Sequence, residues 1–539
     1  MSEQPATGGA AVIAALAAQG VRDVFGIPGT HNLELYRHLP GSGIRHVVTR
    51  HEQGAGYAAD GYARVSGRPG VLITTSGPGI TNAITALATS YADSVPTLAV
   101  SPGPPRGTVG ADLGWLHEMK DQQAALEAVC GRSIRVDAAD DVPEVLAEVF
   151  AGFGTRRPRP VHLEVPVDVL EGEWTRRACP APAPHQLDPP SPADVATVVA
   201  LLQAARRPVL VAGGGARGAV QQVRALADLG VAVLTTVNGK GVLDESHPMA
   251  LGASMRLPAA HAVANEADLL LIVGSEVGDA DLWGGTLRPG NPGERTVVRV
   301  DLDPGQLGKN VAAEVGIEGD APAVLRAILL GLGASVPRWA DAARPDWARH
   351  CAELTAQADA DAGPWASIQH SLSAALPADT VVAGDSSQVT YYGTVHHWPF
   401  TTANRLLYPT GYATLGYGLP AAIGAKIAAP ERPVLALVGD GAAMFSIQEL
   451  LTAVEQRLAL PVVVVDNGGY AEIREQMVDR GIAPQGVDLV GPDFAALARA
   501  MGARGVTVDG AADLGPAAAL ALRADGPTVI HHRVGRTGQ

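Results

Sequence analysis

Short, nearly unbroken runs of valine, leucine and isoleucine recur along the chain, each followed by a stretch with helical spacing. Such runs have no polar face. A strand built from one must be covered on both sides, as in a parallel sheet with helices above and below. The runs come in three groups. VRDVFGI, HVVTR, GVLITTS and TLAVSP form the first. PVLVAGGG, AVLTTV, DLLLIVG and TVVRVDLD form the second, and TVVAGD, PVLALVGD, PVVVVDN and PTVIHHRV the third. Between the first two groups lies Ala178–Asp194, ACPAPAPHQLDPPSPAD, where proline blocks helix interiors and sheet ladders alike. A second connector is read between residues 333 and 365. The chain thus divides into blocks 1–177, 190–335 and 360–539. The expected fold class is α/β, with three open, mostly parallel-sheet domains.

The formal net charge of −15 repels phosphate backbones and argues against nucleic acid as a partner. Cys130, Cys179 and Cys351 are far apart and odd in number, with neither zinc spacing nor a disulfide framework. The N-terminus is polar, and no apolar run approaches the ~20 residues of a membrane helix. The expectation is a soluble, cytoplasmic protein without membrane contact.

Two turns in the third block carry chemistry. PVLALV ends in Gly439-Asp440-Gly441-Ala442-Ala443, and PVVVV ends in Asp466-Asn467-Gly468-Gly469-Tyr470. Asn467 follows Asp440 by 27 positions, with strand–helix–strand phasing between them. Ser446 and Glu449 have the spacing of a capping box for the intervening helix, whose apolar face is Ile447, Leu451, Val454 and Leu458. Open parallel sheets bind ligands at the carboxyl ends of strands, where Asp440 and Asn467 would both sit. A carboxylate, an amide oxygen and a backbone carbonyl are hard ligands suited to Mg²⁺ with a diphosphate, and the glycines let backbone N–H groups approach phosphates. A Gly-Asp-Gly turn alone is common; the spaced pair is what singles out this stretch. In the first block, Glu52 follows HVVTRH at a helix start, where a carboxylate favours the helix dipole.

The GDG turn with its spaced asparagine resembles the thiamine-diphosphate motif of the acetolactate synthase, pyruvate decarboxylase and benzoylformate decarboxylase family. So does Glu52 followed by Ala55, Ala59, Gly61, Tyr62, Ala63 and Arg64, as do SGPGITNAITALATSYADSVPTLAVS and GYATLGYGLPAAIGAKIA. The resemblance implies pyrimidine-binding, central and diphosphate-binding domains, with thiamine diphosphate and Mg²⁺ as cofactors. Asp440, Asn467 and the Gly469 carbonyl would ligate the metal. Asp466 stands where the family has a first asparagine. Gly439, Gly441, Ala442, Ala443 and Tyr470 would line the cofactor, with Asp385, Ser386, Ser387 and Gln388 helping to hold the diphosphate. Glu52 would protonate the pyrimidine nitrogen, the Ala413 carbonyl would receive the amino group, and Leu415 would bend the cofactor. Sites shared between subunits imply a homodimer or homotetramer. Gly213-Gly214-Gly215 in the central block raises FAD as a further cofactor, on a weak signal.

The reaction is read from His31, His117 and Glu472, expected near the reacting carbon. Thr30 and His31 fill a loop where acetolactate synthases tend to have a glycine pair. FGIPGTHNLELYRHL, LHEMKDQ and NGGYAEIREQMVDRGI most resemble the 2-ketoarginine (5-guanidino-2-oxopentanoate) decarboxylase branch. That resemblance implies non-oxidative decarboxylation of a 2-oxo acid to an aldehyde and CO₂. Glu472, Glu118 and Glu34 are candidate partners for a guanidinium. The alternatives are an acetolactate-synthase-type carboligase and a non-catalytic relative that keeps the fold.

Overall fold

The computed structural model describes residues 6–182, 187–291, 293–333 and 339–535. Three sheets, all parallel, follow one another along the chain. The first holds β1 (Asp23–Gly26), β2 (Arg45–Val48), β3 (Gly70–Ile73), β4 (Thr97–Gly103), β5 (Arg132–Arg135) and β6 (Val161–Pro166), in the order β2-β1-β3-β4-β6-β5. The second holds β7 (Pro208–Ala212), β8 (Ala232–Thr235), β9 (Leu269–Val273), β10 (Thr296–Asp301) and β11 (Val315–Glu318), ordered β11-β10-β9-β7-β8. The third holds β12 (Val381–Gly384), β13 (Leu406–Leu407), β14 (Val434–Gly439), β15 (Pro461–Asp466), β16 (Arg504–Val508) and β17 (Thr528–Arg533), ordered β13-β12-β14-β15-β17-β16. The three-sheet α/β architecture is the expected one. Strands such as β3, β9 and β14 are buried on both faces, because their runs of Val, Leu and Ile leave nothing to show to water.

Part of the first connector, residues 183–186, lies outside the described residues, and Pro192–Ala204 is already helical, with Ser191 accepting from the Asp194 amide. The segment read as a second connector differs from a plain linker: Trp339–Ala362 is helical. Residues 334–338 lie outside the described residues, and Trp347, Cys351 and Ala358 from this helix pack against the central core.

The first and third domains share one core. The helix Glu52–Ser66 lies against the helix Gly418–Ala428, and glycines make the approach possible. A Cβ on Gly61 would sit 2.2 Å from the Ala421 carbonyl oxygen, and one on Gly424 would sit 1.9 Å from that of Ala58. At this junction Arg64 is buried and its guanidinium reaches three domains. It bonds Asp60 at 2.6 Å and Asp93 at 2.9 Å in its own domain, and Asn238 of the central domain at 3.2 Å. The Tyr417 hydroxyl of the third domain donates to Asp60 at 2.7 Å, and the Gly411 amide donates to Asp93 at 2.9 Å.

β6 carries a fully buried histidine. His162 lies 2.8 Å from Ser101 Oγ and 2.8 Å from Ser133 Oγ. Burial pushes its pKa down to about 3. The folded protein therefore keeps His162 neutral while the unfolded chain protonates near its ordinary value of 6.5. Stability contributed by this group is present at neutral pH and falls as pH drops below 6.5, by ~1.4 kcal/mol per pH unit. Urea unfolding of wild type and His162→Asn between pH 7 and 5 checks this: the pH slope is expected to be shallower in the variant.

Candidate active site

Strand register brings the two motif turns together. β14 and β15 are neighbours, with Gly439 opposite Val465, so Asp440 and Asn467 leave adjacent carboxyl ends of the sheet. Asp440 opens the single helical turn Asp440–Ala443 and is buried. Its carboxyl is pushed up to about 6, by burial first and then by the charge of Asp466. Gly441 lies under Tyr470, where a Cβ would meet ring carbons at 2.9 Å. Gly468 and Gly469 have φ of 84° and 131°, and a Cβ on Gly469 would come within 2.2 Å of the Val487 carbonyl oxygen.

These turns set three oxygens face to face. The Asn467 amide oxygen lies 3.1 Å from Asp440 Oδ1 and 3.2 Å from the Gly469 carbonyl oxygen. Three acceptors repel one another unless a cation lies between them or the amide turns over to donate to both. Carboxylate, amide and carbonyl oxygens are hard donors, and phosphate oxygens would complete a magnesium shell. The donor set therefore fits a magnesium diphosphate. Among the described residues no group of three His, Cys, Asp or Glu offers a rival metal site. Asp466 is held by partners outside the trio. It accepts from the Gly468 amide at 3.1 Å, lies 3.0 Å from His531 Nε2 and faces Arg533 at 3.7 Å.

The turn after β12 has two tasks. Ser387 Oγ accepts from the Gly439 amide at 3.2 Å and ties β12 to the GDG turn. Ser386 hydrogen-bonds the Tyr408 hydroxyl. Asp385 faces backbone amides. It is buried, its carboxyl is pushed up to about 6 by that burial, and it accepts from the amides of Ser386, Gly416 and Gly418 at 3.0–3.1 Å. A carboxylate repels phosphate, and these amides consume its lone pairs. What it holds is the segment containing Ala413 and Leu415. Ala413 has φ of 50°, a strained value for a residue with a Cβ, and its amide donates to Pro409 O at 2.8 Å. Leu415 is half-buried beside it.

Glu52 begins the helix Glu52–Ser66 and is buried. Its Oε2 accepts from Asn82 Nδ2 at 3.0 Å. Gly79 faces its other oxygen, where a Cβ would lie 3.4 Å from Oε1. Nearby, His31 Nδ1 is 2.6 Å from Ser76 Oγ, which is 3.3 Å from His117 Nδ1. His31 stacks on Trp115 with centroids 4.4 Å apart and meets His117 edge-on at 4.9 Å. Partial burial, then the neighbouring His117, lowers the His31 pKa. Ser76, Asn82 and Trp115 adjoin the candidate residues, and sequence reasoning did not single them out.

The three candidate carboxylates part company. Glu34 pairs with Arg37 at 2.9 Å and also takes the Thr7 hydroxyl. Glu118 accepts from the amides of Leu113 and Trp115, both at 3.0 Å, which lowers its pKa. Glu472 is half-buried in the first turn of the helix Ala471–Asp479. Gln388 donates to it at 3.2 Å, Gln476 at 2.9 Å and the Tyr392 hydroxyl at 3.3 Å, all neutral groups. Gln388 also donates to Glu475 at 2.8 Å. Tyr391 and Tyr392 come from a π-helix, Val389–Thr394. Trp283 of the central domain stacks on Tyr392, 5.9 Å between centroids. A cavity of about 630 Å³ runs from Trp283 and Tyr391 to Ala413.

The central glycine turn borders a further cavity of about 200 Å³, lined by Gly214, Gly215, Arg217, Asp93, Glu276, Asp281 and Asp301. Burial first, then Asp93 and Glu276, pushes Asp281 up to about 7.

Three family models match along the chain. The N-terminal thiamine pyrophosphate binding domain covers residues 6–125, the central domain 195–328 and the C-terminal thiamine pyrophosphate binding domain 385–532. The chain belongs to the thiamine pyrophosphate enzyme family. This enzyme is 43% identical to a probable 2-ketoarginine decarboxylase of Pseudomonas aeruginosa, over 92% of this chain and 88% of the relative. It is 33% identical to the acetolactate synthase isozyme 2 large subunit of Escherichia coli, over 96% of this chain and 94% of that one. A probable acetolactate synthase large subunit of Methanocaldococcus jannaschii is also 33% identical, over 92% of this chain. Glu52 and Asn82 lie in the first matched domain, and Asp440, Asn467 and Gly469 in the third.

Gly441→Ala tests the cradle. Its Cβ would press on Tyr470, so cofactor affinity should fall by about tenfold or more, a loss of ~1.4 kcal/mol, with little change in thermal unfolding. Calorimetric titration with thiamine diphosphate and Mg²⁺ measures it; an unchanged Kd removes this turn from the cofactor site.

Proposed function

We propose that this thiamine pyrophosphate enzyme decarboxylates a 2-oxo acid with a guanidino tail, of the 2-ketoarginine type, to the aldehyde and CO₂. The observation that carries the substrate reading is Glu472. Among the described residues no cation pairs with it, although it is half-buried beside the aromatic rings of Tyr391 and Tyr392. Glu472 meets the Tyr392 hydroxyl, while the faces of Tyr392 and Trp283 already carry the Arg256 guanidinium, so it is the Glu472 carboxylate itself that complements a planar guanidinium. The 43% identical decarboxylase relative supports the same reading.

In this reading Asp440, Asn467 and the Gly469 carbonyl hold Mg²⁺ and through it the diphosphate, with the amides around Gly441 against the phosphates. When bound, thiamine diphosphate supplies an acidic thiazolium carbon and an electron sink that lets a 2-oxo acid lose CO₂. Glu52 shares its proton with the pyrimidine ring nitrogen, held in place by Asn82. The strained turn at Ala413 would offer its carbonyl to the pyrimidine amino group, and Leu415 would support the bound cofactor. His31 and His117, linked through Ser76 Oγ, orient the substrate carboxylate and return a proton to the carbon that loses CO₂. One proton is consumed for each CO₂ released, which leaves the aldehyde.

We also read the enzyme as a homodimer or homotetramer. Leu113, Leu116, Met444, Phe445 and Ile473 are exposed around the two halves of the site, the kind of apolar surface that a second copy would cover. The free cysteines support a cytoplasmic location, and no helix among the described residues is long and apolar enough to cross a membrane.

Incubation with 5-guanidino-2-oxopentanoate alone should release aldehyde and CO₂ in equal amounts. A 2-hydroxyketone product would mean a carboligase instead. Glu52→Gln should keep the cofactor and lose about a hundredfold in kcat, within the usual range for a lost acid–base group. Glu472→Gln should raise KM for the guanidino acid by about tenfold, the worth of a charge-assisted hydrogen bond, and leave KM for 2-oxopentanoate nearly unchanged. Equal changes for both substrates would place Glu472 elsewhere in the reaction.

A further inference from the structure

Glu449 is a fully buried carboxylate that the reading above does not use. Its spacing from Ser446 matches a capping box, but Ser446 makes no side-chain cap. The Glu449 side chain instead crosses into the first domain. Oε1 accepts from the backbone amides of Arg50 at 3.0 Å and His51 at 2.9 Å, and Oε2 accepts from the same Arg50 amide at 3.2 Å and from Thr452 Oγ1 at 2.7 Å. Those two amides belong to the turn between β2 and Glu52. Neither has a partner in the parallel ladder, because the pairing of β2 with β1 ends at Val48.

The fit is close. A Cβ on Gly54 would lie 2.4 Å from Glu449 Oε1, so a side chain there would displace the carboxylate. Around it, Arg50 pairs with Glu455 and Arg45 bonds Gln456, which fastens the rim of the same contact. Glu449 also ends the segment that begins with the Asp440 turn. A chain of short links thus joins the diphosphate cradle to the residue next to Glu52.

We propose that Glu449 is a positioning residue, which fixes the Arg50–His51 turn from the diphosphate-binding domain and thereby sets where Glu52 points. The proposal rests on the reading of Glu52 as the pyrimidine partner. What matters is the pair of bonds accepted at one oxygen. Burial pushes the Glu449 carboxyl up to about 7 against the opposing pull of Thr452 and the two amides. A neutral amide oxygen in the same place can accept the same bonds, so Glu449→Gln should rescue what Glu449→Ala destroys.

Two readouts test this. In the cofactor-free protein, amide hydrogen exchange at Arg50 and His51 should speed up by about tenfold or more in Glu449→Ala, as expected for a lost charge-assisted bond, and stay near wild type in Glu449→Gln. In the holoenzyme, deuterium exchange at the thiazolium carbon, followed by acid quench and NMR, should slow by about tenfold in Glu449→Ala with cofactor Kd little changed. Thr452→Val, which removes the hydroxyl bond to Oε2 and leaves the bonds from the Arg50 and His51 amides, covers the case in which the alanine variant does not fold; it should give a smaller slowing of the same kind. Wild-type carbon exchange in Glu449→Ala, or in Thr452→Val where it stands in, overturns the proposal. Glu52→Gln serves as the control. If its carbon exchange is also at the wild-type rate, the reading of Glu52 has failed; if it is slow while Glu449→Ala is normal, only the role of Glu449 has failed.

Discussion

One guanidinium holds the three domains to a single geometry. Arg64 is buried where they meet and bonds two carboxylates and an amide, while Tyr417 and Gly411 of the third domain bond the same carboxylates. A buried charge tolerates no loose partner, because breaking one side costs about 3–5 kcal/mol. The position of Arg64 follows from the helix Glu52–Ser66, whose other end carries Glu52. The same helix therefore registers the buried Glu52 carboxylate at one end and the domain junction at the other. Glycine contacts against Gly418–Ala428 leave no slack between the two helices.

The site is organised by what its polar groups lack as much as by what they touch. The Asn467 amide faces Asp440 Oδ1 and the Gly469 carbonyl, two acceptors that call for either a donor or a cation between them. Glu472 is surrounded by neutral donors, whereas Glu34 and Glu118 already have partners. Electrostatic demand of this kind explains how one fold can serve both decarboxylases and synthases: the cofactor end stays the same, and the groups facing the substrate change.

Much of the fold was legible because strands buried on both faces are written as plain apolar runs. The strands that left no such trace are instructive. β5, β11, β13 and β16 are sheet edges, short and partly exposed, and β6 interrupts its apolar pattern with His162 and Glu164, which are buried among hydroxyl, amide and guanidinium partners. The spacing of Asp440 and Asn467 was readable because both follow strand ends. Ser76, Asn82 and Glu449 were not, since each acts through space on a residue far away in sequence. Asp385 shows the converse: its motif was visible, but only coordinates reveal that its carboxylate faces backbone amides.

Asp466 has a consequence for how this chain can drift. Its carboxylate stands where the family has an amide, and it is balanced by His531 and Arg533 from the neighbouring strand. The charge of Asp466 already raises the Asp440 carboxyl, so it needs the counter-charge beside it. The three positions are thus coupled: asparagine at 466 would leave Arg533 without its carboxylate, and loss of Arg533 would leave the Asp466 charge to bear on Asp440. Their order of replacement is constrained, so this corner should change in concert or not at all.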